Sequence, residues 1–255
     1  TVTSPIVLDG RTQPGYAGAP VVMIDGSAAG AAVNALVITG GGSSVRGLAI
    51  GGFGGDGIVL QTGGNNVIAG NYLGVNLAGT APFDIIGNVV SIQNSAGNII
   101  GGTSGTTPGG PCTGDCNVIV ARGGQTVKAG VFVDGVSSTG TQVLGNYIGT
   151  NAAGNTGLGS LVSYGIIVNA GAGTIVGDGS AAGRNVVSGN NTGIQLASTN
   201  GSIAGNYIGT NVAGSAAIVN TAGGGNNLNH GIALTGASGM SVVGNVVSGN
   251  GTGII

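Results

Sequence analysis

The sequence predicts an all-β protein, a parallel β-solenoid in which every turn of the coil contributes three short strands. Two observations lead to this fold class. Short phrases recur along the chain in a fixed order, and glycine supplies 59 of the 255 residues while charged residues make up only 5%. An ordinary globular domain has about 25% charged residues. Because composition does not shift anywhere along the chain, we expect residues 1–255 to form one domain.

The repeats set the number of strands in a turn. The phrases "NYIGTN" and "NVVSGN" alternate, and each is followed by a Gly-Ile-x-aliphatic tetrad, such as those at Gly193 and Gly231, and then by a short segment ending in glycine. The shortest repeat, from 185 to 206, spans 21 residues. That length is too short for a strand-helix-strand crossover plus a further strand, but it holds three strands of four or five residues joined by tight turns.

Longer repeats are predicted to be the same turn carrying loops at two of its corners. Residues 75–88, 150–164 and 210–230 follow the Asn-Tyr phrase, whereas 103–116 and 177–184 follow the preceding strand. The same phasing places Leu48 at the corner that Asn146 occupies, and "VVSI" at 89–92 in the place of a tetrad.

Strand alternation assigns the two sides of the coil. The first and third aliphatic positions of each tetrad, such as Ile166 and Val168, should point inward, together with Ile148, Val187, Ile208 and Val247. Outward positions fall on Tyr72, Tyr147 and Tyr207, where each long loop begins. We expect each of these loops to fold back over its own tyrosine.

Asparagine recurs at one corner of the coil. Corners need positive φ, which glycine adopts freely and asparagine tolerates. Stacked asparagines can also hydrogen-bond from layer to layer, as they do in cross-β assemblies. The predicted ladder comprises Asn71, Asn117, Asn146, Asn185, Asn206 and Asn245.

The two cysteines, Cys112 and Cys116, lie in the segment "PCTGDC". Their spacing allows a small disulfide loop, and the alternative is a pair of free thiols. A zinc site would need a second pair of ligands, which the chain lacks. A disulfide would indicate an oxidising compartment, and hence a secreted or cell-surface protein.

Composition argues against several function classes. A net charge of -2 and the absence of tryptophan leave neither a basic stripe for phosphates nor a stacking platform for bases, so no nucleic-acid partner is expected. No apolar run approaches the roughly 18 residues of a membrane span. The first residues lack the features of a signal peptide, which would lie upstream of this numbering. We expect no cofactor and no metal site.

The phrases "GNYIGTN.AG", "RNVVSGNNTGI" and "SPIVLDGRTQPGYAGAP" resemble the right-handed parallel β-helix repeats of large secreted or cell-surface bacterial proteins. The resemblance implies a right-handed coil and an extracellular location. In that family, aspartate is common where this chain has Asn76, Asn151 and Asn211, so the departure removes three carboxylates and weakens a calcium-binding interpretation.

The same resemblance includes polysaccharide lyases, which need a base and cations converging on one groove. Here the cations are spread over different turns, and the aspartates form no pair of the kind a glycosidase needs. The nearest cluster is Arg122, Lys128 and Asp134, which a solvated turn explains. The single histidine, His230, is predicted to be a hydrogen-bonding loop residue. The cations considered are Arg11, Arg46, Arg122, Lys128 and Arg184. Because neither the cations nor the aspartates converge on one groove, we expect a non-enzymatic protein.

The function that these features favour is structural: a fibre subunit or adhesin stalk that is a segment of, or a subunit within, a longer assembly. Its expected partner is itself, stacked end to end, or further solenoid turns. The first alternative is a carbohydrate-binding or lyase-like β-helix that contacts a surface polysaccharide. The second alternative, and the third function considered, is an ice-binding solenoid with Thr150 and Thr210 on one face, although Val75 interrupts that face.

Overall fold

A computed structural model shows a right-handed parallel β-helix of eight turns with three strands in each turn, as the repeats predict. The structure describes residues 1–122, 128–160, 162–218 and 229–255. The only helical element among these residues is a short 3-10 turn, Gly10–Thr12. Three parallel sheets of eight strands run along the coil axis, and we call them sheets 1, 2 and 3 in the order in which the chain visits them.

The strands are short and follow one another strictly around the coil. Sheet 1 contains β1 (Val7–Asp9), β4 (Ser44–Arg46), β7 (Val67–Ala69), β10 (Ile99–Gly101), β13 (Gln142–Leu144), β16 (Ile175–Val176), β19 (Ser202–Ala204) and β22 (Ser241–Val243). Sheet 2 contains β2 (Val22–Asp25), β5 (Leu48–Gly51), β8 (Tyr72–Leu73), β11 (Val118–Ile119), β14 (Tyr147–Ile148), β17 (Val186–Val187), β20 (Tyr207–Ile208) and β23 (Val246–Val247). Sheet 3 contains β3 (Leu36–Ile38), β6 (Ile58–Gln61), β9 (Val90–Gln93), β12 (Lys128–Asp134), β15 (Ser163–Val168), β18 (Thr192–Leu196), β21 (His230–Leu234) and β24 (Thr252–Ile254).

Aliphatic side chains fill the interior, and each one stacks on its equivalent in the next turn. In sheet 3, Ile166 pairs with Ile194, which in turn pairs with Ile232. All three side chains are fully buried. The predicted inward residues of sheet 2 behave alike: Ile148, Val187 and Ile208 belong to the core, and Val247 packs partly buried against it. The tetrad alternation therefore predicted the interior correctly.

Two of the glycines that open the tetrads, Gly165 and Gly231, are required by close packing rather than by their φ angles. A Cβ atom on Gly165 would lie 2.6 Å from Cγ1 of Val187, and one on Gly231 would lie 2.5 Å from Cγ1 of Val247. At these points the start of a sheet 3 strand approaches the interior side chains of sheet 2. Any larger residue would push the two sheets apart.

Loops leave the coil at the two predicted corners. Three of them begin with eight-residue β-hairpins of the same design, at 75–82, 150–157 and 210–217, each closed by an antiparallel bridge between its first and last residues. At the other corner the longest insertion lies between β10 and β11. The sequence did not indicate the insertions at 10–21 and 26–35. The predicted loop at 210–230 includes residues 219–228, which lie outside the described residues.

Candidate functional site

The structure brings the six predicted ladder asparagines into one buried column at the corner between sheets 1 and 2. The side-chain Nδ2 of each asparagine donates a hydrogen bond to Oδ1 of the next. The five bonds measure 3.1, 2.8, 3.0, 2.9 and 3.0 Å from Asn71 to Asn245. The column begins one turn earlier, where the backbone N–H of Leu48 donates to Oδ1 of Asn71 at 3.0 Å.

Each asparagine also ties its neighbours to the main chain. Nδ2 of Asn146 donates to the carbonyl of Ile100, one turn below, at 2.8 Å, while the Asn146 backbone N–H donates to Oδ1 of Asn185, one turn above, at 2.9 Å. The same pattern recurs along the column. Water cannot reach the first five side chains of the column, which are completely buried: Asn71, Asn117, Asn146, Asn185 and Asn206. The bonds within the column therefore satisfy polar atoms that have no access to water.

A second, shorter column lies at the corner between sheets 3 and 1, and the sequence reasoning missed it. The Ser43 backbone N–H donates to Oδ1 of Asn66, and Nδ2 of Asn66 donates to Oδ1 of Asn98, each at 2.9 Å. In later turns the equivalent position at this corner is occupied by the buried threonines Thr141 and Thr174. Because the residue type changes along the column, no repeated asparagine marks it in the sequence. The available signal was a polar residue directly before each sheet 1 strand from β4 to β16.

The outer face of sheet 2 carries a second hydrophobic cluster, which we call the outer cluster. It contains Tyr72, Tyr147, Val118, Val186, Leu158 and both cysteines among its buried members. A Cβ atom on Gly79 would lie 2.9 Å from the Tyr72 ring, and one on Gly154 would lie 2.9 Å from the Tyr147 ring. The hairpins therefore do fold over their own tyrosines, as predicted.

A strap formed by residues 102–117 covers the other side of the outer cluster. The predicted disulfide is present in it, between Cys112 and Cys116. The strap reaches several turns of the coil: the Cys112 backbone N–H donates to the carbonyl of Ala152 at 2.8 Å, and the Tyr147 hydroxyl donates to the carbonyl of Gly110. Burial of the phenol raises the pKa of Tyr147 to about 12.

Charged groups are few and lie apart. The described residues form three ion pairs: Asp9 with Arg11 at 2.8 Å, Arg46 with Asp115 at 2.5 Å, and Asp84 with Arg122 at 4.0 Å. The hydrogen bond from the Arg11 guanidinium lowers the pKa of Asp9 below its usual value. The Arg184 guanidinium stacks over the Tyr207 ring, 4.1 Å from its centre.

The structure does not bring Arg122, Lys128 and Asp134 together. Lys128 and Asp134 occupy opposite ends of strand β12, about 20 Å apart at the usual rise per residue. Arg122 instead pairs with Asp84 of the preceding turn. His230 lies at the start of β21, and its Nδ1 makes no hydrogen bond within the described part of the chain. In residues 1–122, 128–160, 162–218 and 229–255, no three His, Cys or Asp side chains converge as metal ligands would.

An open cleft of about 640 Å³ lies at the corner between sheets 2 and 3 in the first four turns. It is lined by Phe83 and Pro82 from the first hairpin loop, by Asp84 and Arg122, and by glycine-rich segments of the earlier turns. The sequence reasoning did not single out this cleft, since its lining comes from four separate segments.

Thr150 and Thr210 open the second and third hairpins, where 0% and 2% of their surfaces are exposed. They therefore present no face to ice. Within the described ranges, no helix is long and apolar enough to cross a lipid bilayer. The chain matches no protein-family model, and no curated protein matches it.

Proposed function

We propose that this protein is a non-enzymatic extracellular structural protein, a fibre subunit or adhesin stalk whose rod is built by stacking solenoid turns. The observation that carries the proposal is the unbroken column of asparagines, which links successive turns through identical bonds from Asn71 to Asn245. Stability in such a coil is the sum of the interfaces between neighbouring turns. A continuous column of this kind favours a role as a rod.

The surfaces of the coil support the same role. The strap and the hairpins cover the outer face of sheet 2 over several turns, and the disulfide closes the strap. A disulfide persists in oxidising compartments, which favours an extracellular location. Scattered charges and a small net charge of -2 keep electrostatic repulsion between neighbouring rods low.

The mechanism is the addition of further layers. In the eighth turn, the interior-facing Val242 and Val247 are only partly buried, Ile254 exposes 51% of its surface although it pairs with the buried Ile232, and the strands offer unpaired edges. Another solenoid turn, whether from the same chain or from a second copy, would bury these side chains and continue the hydrogen bonding of all three sheets.

Sedimentation velocity at rising protein concentration tests the assembly of this 255-residue protein. We expect the average mass to rise with concentration, and the variant Ile254→Lys to lose this rise, because Ile254 pairs with the inward-facing Ile232 and an ammonium group there would be buried between layers. Val136→Lys is the matched control, since Val136 is 82% exposed on the side of the coil. A constant monomer mass at all concentrations would refute end-to-end assembly, as would equal behaviour of the two variants.

A further inference from the structure

The cleft at the corner between sheets 2 and 3 is built around a departure from the hairpin repeat. The first residue after each hairpin pairs its backbone with the glycine just before that hairpin: Phe83, Leu158 and Ile218 donate their N–H groups to the carbonyls of Gly74, Gly149 and Gly209. Leu158 and Ile218 are 6% and 1% exposed. Phe83 occupies the same position, yet its side chain is only half-buried and lines the cleft.

The Phe83 ring is held in place from one side. A Cβ atom on Gly51 would lie 2.4 Å from ring atom Cδ1 of Phe83, and one on Gly52 would lie 2.8 Å from Cζ. Glycine at both positions lets the ring pack directly on the backbone of the preceding turn. A second aromatic ring, that of Phe53, packs in the same manner on Gly26 and also lines the cleft. Phe53 is only 6% exposed and belongs to the hydrophobic core, so Phe83 is the aromatic ring that the cleft presents, and its position is fixed by the packing on Gly51 and Gly52.

The polar groups of the cleft carry balanced charge. Nε of Arg122 lies 4.0 Å from Oδ1 of Asp84, beyond hydrogen-bond distance. Their side chains are 33% and 45% exposed, so donors of the guanidinium and acceptors of the carboxylate remain open to a ligand. One cation opposite one anion gives little attraction for a phosphate or a uronate. The pair suits a neutral ligand that both donates and accepts hydrogen bonds.

The shape of the cleft limits the ligand further. Its lining comes from four successive turns, from Gly26 in the first turn to Arg122 in the fourth, which corresponds to about 14 Å along the axis at the usual spacing between strands. Its volume of about 640 Å³ lies in the range of small-molecule sites. An elongated ligand with apolar faces and hydroxyl edges fits this description.

We propose that this cleft binds a short neutral oligosaccharide, with a sugar ring stacked on Phe83 and hydroxyl groups bound by Arg122 and Asp84. C–H groups on the face of a pyranose ring pack against an aromatic ring, while its hydroxyls donate to the carboxylate and accept from the guanidinium. This adds a binding site on the side of the rod and does not depend on whether the rods assemble.

Ligand-observed saturation-transfer NMR on the intact protein tests the proposal. The probes are maltotriose, cellotriose and triacetylchitotriose as neutral oligosaccharides, and trigalacturonate as an acidic one. We expect saturation transfer to at least one neutral probe. Phe83→Leu restores the aliphatic side chain of the other hairpins, so the variant should fold and should bind about five- to tenfold more weakly. Arg122→Gln should weaken binding about tenfold.

Phe132→Leu is the matched control, because Phe132 is a half-buried aromatic residue on sheet 3, away from the cleft. Its binding should equal that of the unaltered protein. The proposal is overturned if no neutral probe shows transfer, if Phe83→Leu binds as well as the unaltered protein, or if trigalacturonate binds more tightly than every neutral probe. Melting curves of each variant show whether a loss of binding reflects unfolding.

Discussion

Replacing Asn146 with alanine removes one rung from the middle of the asparagine column. The Asn146 side chain donates to the carbonyl of Ile100 at 2.8 Å and to Oδ1 of Asn185 at 3.0 Å, and its own Oδ1 accepts from Nδ2 of Asn117 at 2.8 Å. All of these groups are buried. In the alanine variant, Oδ1 of Asn185 still accepts from the backbone N–H of residue 146 and Nδ2 of Asn117 still donates to the carbonyl of Ile68, whereas the Ile100 carbonyl loses this donor and has no water to replace it. At about 1 kcal/mol for each of the three lost bonds, and about 1–3 kcal/mol for the Ile100 carbonyl left unpaired, we expect Asn146→Ala to lower the free energy of unfolding by about 4–6 kcal/mol.

Urea unfolding followed by circular dichroism measures this loss, and hydrogen exchange shows where it acts. Exchange should accelerate first in the strands next to the missing rung. Asn155→Ala makes the same chemical change at an exposed position in the second hairpin, where the Asn155 side chain accepts a 2.9 Å bond from Asn151. This control should cost about 0.5 kcal/mol or less. If both variants lose the same small amount of stability, the column does not hold the turns together as argued.

Three further predictions concern the corners, the strap and the buried phenol. Gly140 and Gly145 lie on either side of strand β13 and have similar positive φ angles of 64° and 68°. The Cβ atom of an alanine at position 140 would have no atom within 4 Å, whereas the Cβ atom of an alanine at position 145 would lie 2.3 Å from the carbonyl oxygen of Gly102. Thermal melts should therefore show a loss of about 1 kcal/mol for Gly140→Ala and about 3 kcal/mol or more for Gly145→Ala, and equal losses would contradict the close-approach argument. Replacing Cys112 and Cys116 together by serine should cost about 2 kcal/mol, the value for so short a loop, with faster hydrogen exchange in the strap; unchanged exchange there would show that the disulfide does not hold it. Because the pKa of Tyr147 is raised to about 12, the unfolded chain releases this proton near pH 10 while the folded protein keeps it, so stability should fall by about 1–2 kcal/mol as pH rises from 10 to 12; urea titrations that show the same fall for Tyr147→Phe would refute this source.

The regular part of the coil was predictable because its signals are local. A tetrad such as Gly-Ile-Ile-Val at 165–168 shows in four letters both the strand alternation and the glycine that close packing demands. The asparagines recur as identical letters, since each of them faces an identical neighbour one turn away. In both cases the repeat in the sequence and the repeat in the structure have the same physical cause, which is the stacking of equal layers.

The parts that escaped prediction depend on contacts between segments far apart in the chain. The strap crosses the outer cluster to reach Ala152, and its Asp115 pairs with Arg46, 69 residues earlier. Nothing near Asp115 in the sequence indicates that partner. Arg122, Lys128 and Asp134 lie near one another in the sequence, yet Lys128 and Asp134 are held at opposite ends of strand β12 and Arg122 pairs with Asp84 of the preceding turn.

The cleft shows a different limit. Phe83 differs from its counterparts Leu158 and Ile218 only in side-chain type, and the repeat alone predicts a buried aliphatic position for all three. Its partial exposure results from the shape that the earlier turns give to the corner. The equivalence of the three positions lies in their backbone bonds to Gly74, Gly149 and Gly209, which only the folded chain displays.

Electron microscopy of the protein at neutral pH tests most directly the claim that the turns form a rod that further layers extend. The account predicts long filaments of uniform width whose axial repeat is a multiple of about 4.8 Å, the spacing between paired strands. Short rods of a single length at every protein concentration would contradict end-to-end growth and leave the asparagine column as a device for the stability of one molecule.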